Sequence, residues 1–230
     1  MVDVGANYRN ILARINEAAA KCGRNAGEIK LLGAAKSQRV EAIRAAIEAG
    51  LKIIGENYVR EAQEKKEQIT QAVEWHMIGH LQRNKAKAAV ELFDVVESLD
   101  SLALARELDR EGRKRDKTVR VFIEVNLGGE QSKSGVAKSE VQALLEQAAA
   151  LSHLHVEGLM TVPPFHEDVE NVRPYFRELR ELRDELKGLR LPNVDLQELS
   201  MGMTHDYLIA IEEGATLVRI GTALFGRRER

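Results

Sequence analysis

IKLLGAAKSQRVEAIRAAIEAGLKIIGEN, residues 29–57, carries the pattern that decides the fold. Two apolar runs, Ile29–Ala35 and Leu51–Asn57, flank an amphipathic segment in which Val40, Ile43 and Ile47 share one helical face and Gly50 marks the stop. Short runs rich in Leu and Ile read as strands buried on both faces. A helix returning between two of them makes a right-handed parallel βαβ unit.

The alternation continues outward from this stretch. Apolar runs recur at Glu74–His80, Phe93–Asp100, Val119–Asn126, His155–Val162, Asp195–Gly202 and Thr216–Gly221, about eight in all. Between them lie helical patterns, such as Phe176, Leu179, Leu182 and Leu186 on one face before Gly188. The expected class is α/β, a TIM-like (β/α)8 barrel formed by residues 1–230 as a single domain. An additional amphipathic helix, Tyr8–Lys21, precedes the first strand, and the sequence stops soon after the eighth. The opening helix is therefore expected to cover the flank that a closing helix would otherwise fill.

Composition excludes several function classes. The 230 residues are 44% apolar and 30% charged, ordinary for a globular protein, and the net charge of −2 offers no general attraction for nucleic acid. The basic runs Arg113–Arg115 and Arg227–Arg228 sit beside acids or glycine and read as a solvated turn and tail. A single cysteine, Cys22, precludes an internal disulfide. With neither a signal-peptide run nor an apolar stretch of ~18 residues, the expected location is the cytoplasm, with no membrane partner.

In such a barrel the chemistry collects at the C-terminal ends of the strands. The unusual residues do so here: Lys36, Glu56 and Asn57, His76 and His80, Met160–Thr161, Ser200–Gly202, and Arg219, Gly221 and Thr222. Lys36 follows a strand and small residues. In a dry mouth its charged form would be penalised and its amine made nucleophilic toward an aldehyde; the alternative is a strand-end lysine with its ammonium in water. SMGM and IGTALFG, after strands seven and eight, suit a phosphate cup, with Ser200 and Thr222 as donors and Gly202 and Gly221 letting the backbone approach an anion. Thr204 and Thr222 could equally cap the helices that follow. Alternation turns Arg219 inward, where it needs either a structural ion-pair partner or a ligand. His76 and His80, four residues apart on a strand, stand about 13 Å apart, too far to share a metal ion.

These motifs together resemble the pyridoxal phosphate homeostasis protein family, relatives of the N-terminal barrel of bacterial alanine racemase. The matching stretches are AAKSQ (34–38), IGENYVREAQEK (54–65), WHMIGHLQRNK (75–85), VNLGGEQSKSGV (125–136), GLMTVPP (158–164), ELSMGMTHD (198–206) and VRIGTALFGRR (218–228). The resemblance implies that pyridoxal 5'-phosphate (PLP) is held as a Schiff base on Lys36. Ser200, Gly221, Thr222 and the backbone at Met201 would hold its phosphate, Arg219 would face the pyridine nitrogen, and Asn57 and His76 would line the cofactor. Gln38 stands where many members carry a second basic residue, and Arg60 where glutamine is common.

The family is regarded as non-catalytic, acting in vitamin B6 and amino-acid homeostasis; a PLP-dependent amino-acid racemase is the alternative. A fixed positive charge at the pyridine nitrogen opposes its protonation and weakens carbanion chemistry. Racemisation also needs a base on each face of the cofactor. In the resembling racemase the second is a tyrosine from a further C-terminal domain of the partner subunit. The sequence, ending at Arg230, shows no such domain. The expectation is a monomeric carrier of PLP, with PLP-dependent apoenzymes as acceptors.

Overall fold

A computed structural model describes residues 2–130 and 134–226. Eight parallel strands close into a barrel: β1 (Lys30–Ala34), β2 (Ile53–Glu56), β3 (Glu74–Met77), β4 (Val95–Leu99), β5 (Val119–Asn126), β7 (Leu154–Met160), β8 (Val194–Met203) and β9 (Leu217–Ile220). β9 pairs back onto β1, and β4 onto β5. The two-residue strand β6 (Val136–Ala137) adds to the end of β5 outside the ring. This is the TIM-like fold that the alternation predicts.

The opening helix, α1 (Val4–Lys21), packs against α2 (Val40–Glu48), α8 (Tyr207–Glu212) and α9 (Thr222–Phe225). It thereby covers the β9–β1 side, as expected. It begins four residues before Tyr8 because the Asp3 carboxylate accepts from Ala6 N at 2.8 Å and caps the helix, a polar signal outside the apolar period. Between β5 and β9 run α6 (Val141–Ala149) and α7 (Arg173–Lys187), and α7 buries Phe176, Leu179, Leu182 and Leu186. Helix α5 (Leu102–Arg113) leads into the basic run, where Arg113 pairs with Asp109, and Lys114 and Arg115 pair with Glu111. Arg227 and Arg228 lie outside the described residues, as do residues 131–133 of the 125–136 stretch. Among the described residues no helix is long and apolar enough to cross a membrane.

Strand alternation sends one set of side chains outward under the helices and the other into the barrel. Leu32, Ile53, Val95, Phe122, Met160 and Leu217 form an apolar plug inside it. Toward the N-terminal ends the interior is ionic: Lys30 meets Glu198 at 2.5 Å, and Arg120 bonds Glu157 at 2.6 Å and Glu74. Toward the C-terminal ends it is polar again, through His76, Glu97, Ser200 and Arg219. Lys30 and Arg120 keep part of their side chains in solvent, whereas the buried Glu97 is hydrogen-bonded by His76 and Ser200.

SMGM is not the loop that the sequence suggests. Residues 200–203 are the bulged end of β8, whose register against β9 shifts between Ser200 and Met203. Gly202 has φ +89°, and a Cβ there would lie 2.5 Å from Ala210 Cβ. Backbone conformation and the packing of α8 therefore require this glycine.

His76 is 2% exposed, with Nδ1 2.6 Å from Glu97 and Nε2 3.7 Å from Glu74. Burial opposes its charge, but the two carboxylates outweigh that penalty and push its pKa up to about 9. A proton held more tightly folded than unfolded stabilises fully below the unfolded value of about 6.5, and that stability is lost as pH rises through the folded value. Urea unfolding is accordingly expected to show stability falling between about pH 6.5 and 9, by up to ~3 kcal/mol from this group. His76→Asn should flatten that limb, and an unchanged slope in the variant would show that His76 is not the group responsible.

Candidate functional site

A cleft of about 390 Å³ opens at the C-terminal ends of β1, β8 and β9. It brings together five residues expected from the sequence: Lys36, Asn57, Arg219, Gly221 and Thr222. Gln38, Val162, Met203, Thr204 and His205 also line it.

Lys36 follows β1 and is followed by Ser37 at φ +60°, a left-handed turn outside the strand. The mouth around it is not dry. Lys36 is only half-buried, and its ammonium stands 4.9 Å from the ring centroid of Tyr58, an exposed aromatic that the strand and helix patterns leave unassigned. Asn57 lies at the end of β2, where the next loop presses on its backbone: a Cβ on Gly79 would be 2.5 Å from Asn57 O. This close approach fixes the wall of the cleft.

Gly221 and Thr222 form the turn into α9. The Thr204 hydroxyl accepts from Ala223 N at 3.3 Å. Thr204 therefore caps the start of α9 across the cleft, not the helix that follows it in sequence. That helix, α8, is preceded by Asp206, whose carboxylate accepts from Met203 N at 2.6 Å.

Arg219 is the floor. It is 4% exposed; Nη1 donates to Ser200 Oγ at 2.6 Å and Nη2 to Thr161 O at 2.7 Å. Ser200 Oγ in turn donates to Glu97 Oε2 at 2.5 Å, and Glu97 Oε1 meets His76 Nδ1 at 2.6 Å. The chain Arg219–Ser200–Glu97–His76 crosses the barrel from β9 to β3. Burial weakens the hold of Arg219 on its proton, while Glu97, Asp206 and Glu124 strengthen it. Arg219 thus has structural partners, a hydroxyl and a carbonyl, and also lines the cleft.

Three expected residues stand elsewhere. His76 does not line the cleft, because its imidazole is turned into the barrel by Glu97. Ser200 is wholly buried, with its hydroxyl engaged by Glu97 and Arg219. The Met201 side chain points outward into the core under the helices, as alternation after an inward Ser200 requires. His80 pairs with Asp100 at 3.1 Å and lines a separate, larger cleft with Arg60 and Lys85.

Sequence reasoning missed the buried acids. Glu97 sits at an inward position of FDVVESLD, a polar residue at an apolar phase, and that was its only signal. Glu124 is buried with Oε2 lacking a hydrogen-bond partner, and burial together with Asp100 and Glu97 pushes its carboxyl up to about 7 against the pull of Arg219. His205 was also missed; it lines the cleft and donates from Nε2 to His166 O at 3.2 Å, leaving Nδ1 as its basic nitrogen.

The family model for the alanine racemase N-terminal domain matches residues 6–229. A pyridoxal phosphate homeostasis protein of Aquifex aeolicus is 48% identical over 220 residues, covering 95% of this chain and 96% of the relative. A solved protein from Bifidobacterium adolescentis superposes with a TM-score of 0.90 at 36% identity, over 97% of this chain and 94% of that one. PipY of Synechococcus elongatus, solved with PLP bound, superposes with a TM-score of 0.82 at 35% identity, over 92% of this chain and 100% of that one. The chain thus belongs to the alanine racemase N-terminal domain family, within the group of relatives named pyridoxal phosphate homeostasis protein.

Proposed function

We propose that this chain holds PLP through a Schiff base on Lys36 and acts in PLP and amino-acid homeostasis as a cytoplasmic carrier without substantial turnover, its acceptors being PLP-dependent apoenzymes. The observation that carries the reading is the convergence of Lys36, Arg219 and the Gly221–Thr222 turn on one cleft. Its volume of about 390 Å³ lies within the ~300–1,000 Å³ of small-ligand sites. PipY, a relative of the same fold, binds the same group.

The donor set fits the cofactor. When bound, PLP supplies an aldehyde that condenses with an amine and a pyridine ring that withdraws electrons. Lys36 is a lysine in the cleft, half-buried and with its ammonium over Tyr58. The Gly221–Thr222 turn and the Thr204 hydroxyl offer neutral donors suited to a phosphate. Arg219 presents a fixed positive charge that opposes protonation of a ring nitrogen beside it. Ser200 holds Arg219 directly, and His76 acts further removed, by orienting the Glu97 that in turn holds Ser200. The contribution of Met201 is confined to its backbone in the bulged end of β8.

One observation favours the racemase alternative. His205 places a histidine in the cleft, whereas His76 and His80 do not line it. The His205 imidazole is exposed to solvent and hydrogen-bonded to the His166 carbonyl.

Three outcomes are expected. Borohydride reduction and peptide mapping should place the adduct on Lys36, and Lys36→Ala should lose it while unfolding stability changes by about 0.5 kcal/mol or less. An adduct mainly on Lys85 or Lys133 would overturn the site; Lys133 lies outside the described residues. Arg219→Glu should let the ring nitrogen gain a proton, seen as a new long-wavelength band when an amino acid is added to the loaded protein. An unchanged spectrum would remove Arg219 from the ring. Single enantiomers of alanine, serine and glutamate in deuterated water should racemise only at a trace rate. Turnover of ~1 s⁻¹ or more, abolished by His205→Ala, would establish the enzyme instead.

A further inference from the structure

The stretch GENYVREAQEK (55–65) ends in a lysine that the cleft does not use. Lys65 lies in the last turn of α3 (Val59–Lys66), where a lysine ordinarily reaches water, yet its side chain is 7% exposed. Its ammonium donates to Ala35 O at 2.7 Å, Glu56 Oε1 at 2.6 Å and Glu61 Oε1 at 2.7 Å, which uses all three of its donors. Glu61, one turn earlier on the same helix, also accepts from Ser37 N at 2.5 Å.

Two α3 side chains therefore hold the main chain on both sides of one residue, Lys36: Lys65 grips the carbonyl before it and Glu61 the amide after it. We infer that Glu61 and Lys65 are positioning residues for the Lys36 amine, fixing where it stands when it meets the cofactor aldehyde. The inference rests on the reading of Lys36 as the PLP-binding lysine.

Three features favour positioning over plain stabilisation. A buried lysine between carboxylates is a poor device for stability, since apolar side chains of similar volume commonly serve as well or better. The grip falls where the backbone is least able to hold itself, because Ser37 is a non-glycine residue at φ +60°. The remaining hydrogen bonds there, Ala35 N to Gly55 O and Gln38 N to Ala35 O, leave the Ser37 amide to Glu61. Adduct formation is a condensation in which Lys36 Nζ replaces the aldehyde oxygen, which departs as water with both amine hydrogens. No other reactant is needed, so its rate reports on placement. A displacement of about 1 Å at the reacting atom can cost on the order of 10²-fold.

The test uses Glu61→Ala, Glu61→Gln and Lys65→Met. In the cofactor-free protein, amide exchange at Ser37 should speed up by about tenfold in Glu61→Ala and Lys65→Met, while Glu61→Gln, which keeps an acceptor oxygen, should stay near wild type. Adduct formation should slow by about 10- to 100-fold in the first two variants, both with PLP and with phosphate-free pyridoxal. Binding of inorganic phosphate should be unchanged. Folded Glu61→Ala with wild-type exchange at Ser37 and wild-type rates would overturn the inference. Should Lys65→Met fail to fold, the Glu61 pair decides alone. A wild-type protein that forms no adduct at Lys36 would refute the cofactor reading, and Ser37 exchange would still decide whether α3 holds the loop.

Discussion

A guanidinium keeps its proton under any condition a protein meets, so a barrel that carries one near its centre must be built around it. Arg219 imposes that constraint here. Its two terminal nitrogens are satisfied by Ser200 Oγ and Thr161 O, and Ser200 is in turn oriented by Glu97. Glu97 would itself be an expensive buried anion without His76, whose proton it shares in holding. Four strands are thereby committed to one polar chain, above the apolar plug. The same chain presents Arg219 as a rigid positive floor to the cleft.

The wall carrying Lys36 is held by a different device. The turn after the first strand takes a backbone conformation that favours glycine, occupied instead by Ser37, and α3 reaches across to grip it. Glu56, wholly buried beside Lys65, is pushed up to about 7 by burial against the pull of that ammonium. Two charged clusters thus flank the cleft: one beneath it fixes a cation, and the other beside it fixes a stretch of main chain. Both use buried ionisable groups whose hydrogen bonds specify direction, which apolar packing cannot do.

Membership of the alanine racemase N-terminal domain family accounts for the barrel. It does not by itself assign chemistry, because one fold hosts many functions and the site must supply the argument. Tyr58, Val162, Met203 and His205 stand exposed around the cleft.

Element type and order were legible in the sequence, because buried parallel strands and amphipathic helices differ in period and in their Gly and capping signals. Inward placement of Arg219 followed from alternation alone, and Lys36, Asn57, Gly221 and Thr222 followed from their position at strand ends. Only the tertiary structure decided what those side chains meet. Ser200 and His76 share the inward phase of their strands with genuine lining residues, yet Glu97, a residue 103 positions from Ser200 in the chain, draws both below the floor. Thr204 caps a neighbouring helix rather than its own, and Gly202 is required by the packing of α8. Periodicity reports which face a residue occupies. Depth along the barrel axis and the partner waiting there depend on strand register and on contacts between distant segments, which no local pattern encodes.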